Sequence, residues 1–246
     1  MIYITSDTHG RFNHLTDFLL SDEITENDVL IILGDTGFNY DAVPGSGLRR
    51  KAPMNWYNVP ILCIQGNHEL RPHHIDTYRE VEWNGGIVYR EDKYPNLLFA
   101  KDGEVYNIEG RNFMVCGGAY SVFKDYRIAH GLSWYYDEQP SAETKARVEQ
   151  QLADRNWNID IMLTHTCPTK AVPKEKYIRT VDQSTVDTST EDWLDSIEDR
   201  LTYKAWYCGH WHIEKRIDKL HFLFETVETL NEGYDFSRGT KNPYIN

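Results

Sequence analysis

The run Ile2-Tyr3-Ile4-Thr5-Ser6-Asp7-Thr8-His9-Gly10 passes from β-formers straight into a carboxylate and an imidazole. Its apolar part reads as a strand, and the polar part starts where that strand stops. The same transition recurs down the chain. Val29 to Leu33 ends at Gly34-Asp35, Ile61 to Ile64 at Gly66-Asn67-His68-Glu69, Ile159 to Leu163 at His165, and Ala205 to Cys208 at Gly209-His210-Trp211-His212. Open α/β sheets carry their sites at such strand ends. Carboxylate, amide and imidazole donors converging there suit two divalent metals.

Outward from these runs, the first third alternates strand and helix. Strand 2–6 is followed by a helix over 12–20 with Leu15, Phe18 and Leu19 on one face. Strand 29–33, a Gly/Pro loop at 41–47, a weakly marked helix toward Tyr57 and strand 61–64 come next. Alternation of this kind implies parallel strands with crossover helices. The middle third changes character: runs near 87–90, 97–100, 104–108 and 112–117 read as antiparallel strands. Helices are expected over 141–155 and 190–201, and strands over 159–163, 204–208, 213–217 and 220–225. The sum is an α/β fold of two packed mixed β-sheets flanked by helices. It forms a single domain over 1–230, with 231–246 as a polar surface tail.

Asp plus Glu number 38 against 26 Lys plus Arg, for a net charge of −12. Long nucleic acid is not favoured as a partner, because phosphate backbones need basic patches. No apolar run approaches the length of a membrane span. The first strand begins at Ile2 and leaves no room ahead of it for a leader, so a cytoplasmic location is expected. The four cysteines form no CxxC pair and read as small buried hydrophobes kept reduced.

The donors can be sorted by chemistry. A bridging carboxylate must be short and rigid, and Asp35, behind a glycine that permits close backbone approach, suits that role. Asp7 and His9, two apart on an extended stretch, point the same way and would chelate one ion. His210 and His212 repeat the spacing across a turn, so each is free to serve a different ion. Asn67 offers a neutral oxygen and His165 another imidazole. Mixed N/O donation without thiolate fits Mn, Fe, Zn or Ni better than a structural zinc site, and two divalent ions, Mn²⁺ first among them, are expected.

The set Asp7-x-His9, Gly34-Asp35, Gly66-Asn67-His68-Glu69, His165 and Gly209-His210-x-His212 resembles the calcineurin-like metallophosphoesterase superfamily. All five of that family's motifs stand in its order over residues 7 to 212, which makes the match specific. The resemblance implies an αββα sandwich. It places one metal on Asp7, His9, Asp35 and His212, and the other on Asp35, Asn67, His165 and His210. It implies in-line attack on phosphorus by a hydroxide between the ions, with His68 as the non-ligand acid.

The wording around Asp7 and Asn67 is similar to protein serine/threonine phosphatases. Those carry an Asp-Arg pair shortly after the second motif, where this chain has Thr36-Gly37-Phe38-Asn39. Asp41 and Arg127 are the candidates to replace that pair. In the 120–140 loop Lys124, Arg127 and His130 are the expected substrate contacts, Arg127 in bidentate fashion. A phosphate ester is the expected substrate, and a phosphomonoester is favoured. The alternatives are a phosphodiesterase or nuclease on small diesters, and a non-catalytic interaction module like the retromer subunit that resembles the family. Retention of His68 and every ligand weighs against the last.

Overall fold

The computed structural model describes residues 1–21, 24–40 and 47–230. The expected tail at 231–246 and Asp41 lie outside the described residues. In chain order the elements begin with β1 (Ile2–Thr5), α1 (Asn13–Leu19), β2 (Val29–Ile32), α2 (Leu48–Lys51) and β3 (Ile61–Cys63). Strands β4 (Tyr78–Trp83), β5 (Gly86–Glu91), β6 (Leu97–Ala100), β7 (Val105–Ile108) and β8 (Arg111–Cys116) follow. Then come α3 (Lys124–Ala129), α4 (Ala142–Ala153), β9 (Ile161–Thr164) and α5 (Ser189–Glu198). The described part closes with β10 (Ala205–Cys208), β11 (Lys215–Ile217), β12 (Leu220–Phe222) and β13 (Glu228–Leu230).

Two sheets result. One has the order β13-β1-β2-β3-β6-β5-β4, the other β11-β12-β10-β9-β8-β7. The central strands β1, β2, β3 and β6 are mutually parallel, as are β8, β9, β10 and β12. The strands outside them run antiparallel. Strand β6, expected in an antiparallel meander, is therefore parallel to β3, because Ile61 to Cys63 pair with Leu97 to Phe99.

Side-chain alternation explains the layering. Ile2, Ile4, Val29, Ile31 and Leu62 face inward and meet Phe113, Val115, Ile161, Leu163 and Tyr207 of the other sheet in one buried cluster. The residues between them, such as Tyr3, Leu30 and Ile32, face outward and are covered by Leu15 and Leu19 of α1. On the far side Met114, Met162 and Trp206 are covered by Val148 and Leu152 of α4 and by Leu194 and Ile197 of α5. Each helix thus buries residues three or four apart. The Ser141 hydroxyl caps α4 by accepting from Thr144 N at 3.2 Å, as N-terminal serines do. The expected αββα sandwich is what forms. Among the described residues, no helix is long and apolar enough to cross a membrane.

Candidate metal centre

Strands β1, β2, β3, β9 and β10 deliver their following residues to one edge, and the loops leaving them stay paired. Asp7 N donates to Gly34 O at 3.2 Å, His9 N to Asp35 O at 2.8 Å and Gly209 N to His165 O at 2.9 Å. The two sheets are laced together there, since His165 Nδ1–H donates to Leu33 O at 2.7 Å and His210 N to Asp7 Oδ2 at 2.8 Å.

Asp7, His9, Asp35, His210 and His212 all hold positive φ angles, between 46° and 66°. For non-glycine residues this conformation costs about 1–3 kcal/mol each, and such strain clusters at functional sites. Asp7 and His9 are therefore not two positions on an extended strand. The chain has left β1 and turned, and the turn aims both side chains at one point. Gly34 (φ +97°) is needed for a different reason: a Cβ there would overlap the His165 ring.

Three donor atoms form a first group. His9 Nε2 and His212 Nε2 are 3.0 Å apart, and Asp7 Oδ1 lies 3.4 Å from the second and 4.0 Å from the first. Asp7 Oδ2 is occupied, accepting from Ser6 Oγ at 2.5 Å and from His210 N. Oδ1 is buried and has no hydrogen-bond partner. A second group comprises His165 Nε2, His210 Nδ1 and Asn67 Oδ1, with 2.9 and 3.1 Å from the amide oxygen to the two nitrogens. Ser121 Oγ accepts from the Asn67 amide nitrogen at 2.8 Å, which turns Oδ1 toward the histidines. Because His165 Nδ1 carries the proton given to Leu33, its Nε2 lone pair faces another lone pair. Acceptors opposed in this way suit a cation held between them.

Asp35 joins the groups. Its Oδ1 accepts from His68 N at 2.9 Å, while Oδ2 lies 3.8 Å from His165 Nε2 and 4.0 Å from His68 Nε2. Donor atoms of Asp7, Asp35 and His165 fall within 4.8 Å of one another. The orphaned Asp7 oxygen and the opposed lone pairs make the residues a fit for bound cations.

The electrostatics differ from ligand to ligand, and His212 is raised by its hydrogen bond with Asp7. Burial works to raise the Asp7 carboxyl, but His212, His165 and Ser6 outweigh it and hold it at about 2. Burial, with the charges of Asp7 and Glu69, pushes Asp35 well above the carboxylate range. Burial lowers His9 to about 4 and His210 well below an ordinary imidazole. Neutral imidazole is the ligating form. His68 is lowered to about 3 by burial, then by Arg127 and the neighbouring histidines.

The 120–140 residues divide. Arg127 donates through Nε to Ser133 O at 2.7 Å, and its charge is felt at His68. Lys124 lies over the Trp134 ring at 4.6 Å. His130 is exposed and stacks on Tyr126 at 4.0 Å, with Nδ1 bonded to Tyr126 O. Neither Lys124 nor His130 is brought to the cluster. Helix α3 forms inside what reads as loop, and Glu191 of α5 is buried with Thr166 Oγ1 donating to it at 2.7 Å. Ser6, Tyr40 and Ser121 escape sequence reading. Tyr40 OH meets His9 Nδ1, and only Ser6, beside Asp7, carried any signal.

A cavity of about 590 Å³ opens beside Asp35, Asn67, His68, His210 and His212, bounded by segments 120–123 and 169–191.

A family model described as calcineurin-like phosphoesterase matches residues 1–214. No curated protein matches the chain. Among solved structures, a phosphopantetheinyl hydrolase from Mycobacterium tuberculosis is 16% identical, with 91% of this chain and 87% of that one covered and a TM-score of 0.44.

Proposed function

The chain belongs to the calcineurin-like phosphoesterases, metal-dependent ester hydrolases, and on that premise we propose that it cleaves a phosphate ester at a two-metal centre. The observation that carries the proposal is the pair of donor groups joined by Asp35, one with an orphaned carboxylate oxygen and the other with opposed lone pairs. Asp7, His9, Asp35 and His212 would hold one ion; Asp35, Asn67, His165 and His210 would hold the other. Two dications, Mn²⁺ by preference and Fe, Zn or Ni by similar donor chemistry, would supply Lewis acidity and an activated water near neutral pH.

The chain's own groups do the rest. Ser121 and Leu33 O fix the Asn67 amide and the His165 tautomer. Partners of this kind commonly govern metal affinity. His68 would donate a proton to the leaving oxygen or stabilise its charge. Burial above all keeps this imidazole neutral, with Arg127 adding to it; an arriving phosphate anion would favour its protonated form. Arg127, whose charge acts on His68, would attract the phosphoryl group. The four cysteines are buried and unbridged, which accords with a reducing, cytoplasmic setting.

A phosphomonoester dianion calls for more positive charge than a diester. Of the three cationic candidates on 120–140, only Arg127 acts on the centre. That observation favours a second reading, hydrolysis of a small phosphodiester. Assays with p-nitrophenyl phosphate and bis-p-nitrophenyl phosphate, with Mn²⁺ and with chelator, test both readings. Metal-dependent release from the diester at least equal to that from the monoester is expected under the second reading. Turnover of neither by protein shown to hold two ions would overturn the proposal.

A further inference from the structure

The cavity beside the candidate centre has an apolar wall. Val122, Phe123, Val172, Ile178, Val181 and Val186 line it, and the rings of Tyr177 and Trp211 stand 6.2 Å apart on the same lining. Several of these are exposed: Phe123 is 45% accessible, Ile178 39% and Val122 37%. Single exposed apolar residues are ordinary, but a contiguous group that continues into a polar site marks a binding surface.

The charged residues of the lining are largely spoken for. Glu175 pairs with Lys215, and Glu191 accepts from Thr166. Asp187 accepts from Ser189 N and from Gln139 Nε2, each at 2.9 Å. Lys176 is the one lysine or arginine among the lining residues. A polyanionic group would find few cationic partners there. The volume lies within the range of about 300–1,000 Å³ typical of sites that enclose small organic ligands.

We propose that this cavity receives an uncharged, apolar part of the substrate, so that the enzyme acts on a phosphate ester carrying a sizeable apolar group. The inference rests on the hydrolytic reading above and adds the class of substituent. The occupant follows from continuity: Asp35, Asn67 and His68 line the same cavity as Val181 and Ile178, so the substituent of a phosphoryl group at the centre would share that space with them.

The test uses methyl-, butyl- and octylphosphonate, which share one anionic head, on the Mn²⁺-loaded protein. Kd is read by calorimetry, and hydrolysis of the two nitrophenyl esters is measured beside it. Affinity is expected to rise with chain length, by up to about fourfold for each buried methylene. Ile178→Asp and Val181→Asp are each expected to flatten the series, because they place a charge against the chain. Turnover with a flat wild-type series would overturn the inference and leave the phosphoesterase reading intact. A length preference without turnover of either ester would overturn the hydrolytic reading and, as a statement about a substrate, this inference with it.

Discussion

Asp35 sits at φ 46° with one oxygen on the His68 amide and the other between the His165 and His68 rings. Removing its charge while keeping its shape therefore addresses both ions at once. Asp35→Asn is expected to bind less metal than the wild type by elemental analysis, and undiminished content would refute the shared-ligand role. His68 touches no proposed ion, so His68→Ala should retain its metal and lose about 10²- to 10⁴-fold in turnover. The loss should be greater for alkyl than for nitrophenyl leaving groups, and an equal loss on both would remove the acid role. These residues were legible in the chain because each is a donor type placed where an apolar run stops. Ser121 was not legible, since its contact with Asn67 spans 54 positions and serine is common everywhere. Lys124 and His130 read like Arg127 in the chain and are placed differently. They share a loop with Arg127 but spend their contacts on Trp134 and Tyr126.

At the scale of elements, the parallel core strands were readable as short apolar runs, whereas the edges were not. Strand β4 is Tyr-Arg-Glu-Val-Glu-Trp, mostly solvated, and its charges mask the alternation. The signal that finds it is Asn84-Gly85, both at positive φ, the two-residue turn that closes the β4–β5 hairpin. Strand β13 is three residues paired with β1 across the length of the chain, and nothing local announces it. Arg71 ties several of these elements together. It donates to Asp102 at 2.6 Å and to Asp137 O at 2.8 Å, while Asp102 also accepts from Gly117 N. Arg71→Ala leaves that carboxylate buried and unpaired, and a loss of about 3–5 kcal/mol in urea unfolding is expected; a change within error would contradict the tie. In α5 the Glu191 carboxyl is raised chiefly by burial, with Thr166 opposing. A raised carboxyl binds its proton more tightly folded than unfolded. Its contribution to stability is thus present at low pH and lost as pH rises through the folded value. An amide escapes that loss, so Glu191→Gln should gain stability relative to the wild type as pH rises above the ordinary glutamate range. Parallel pH profiles would contradict the assignment.

For the whole molecule, each sheet repeats one plan, four parallel strands inside antiparallel edges, and the two plans meet face to face through a shared apolar core. That arrangement brings ends of strands from both sheets to one edge, which no single strand could do. It lets residues as far apart as Asp7 and His212 share a site. The chain carries a net charge of −12, and two dications at this edge would relieve part of the repulsion between its buried carboxylates. The overall layering followed from the sequence because periodicity reports which face is buried. The approach of the two sheets at the site did not follow, because it depends on turns at positive φ that composition does not encode. The most direct test of the two-metal centre is an anomalous difference map from crystals of the Mn²⁺-loaded protein. Two peaks per chain are expected, one among Asp7, His9 and His212 and one among Asn67, His165 and His210, with Asp35 touching both. A single peak, or manganese held only at the surface cluster of His73, His74 and Asp137, would contradict it.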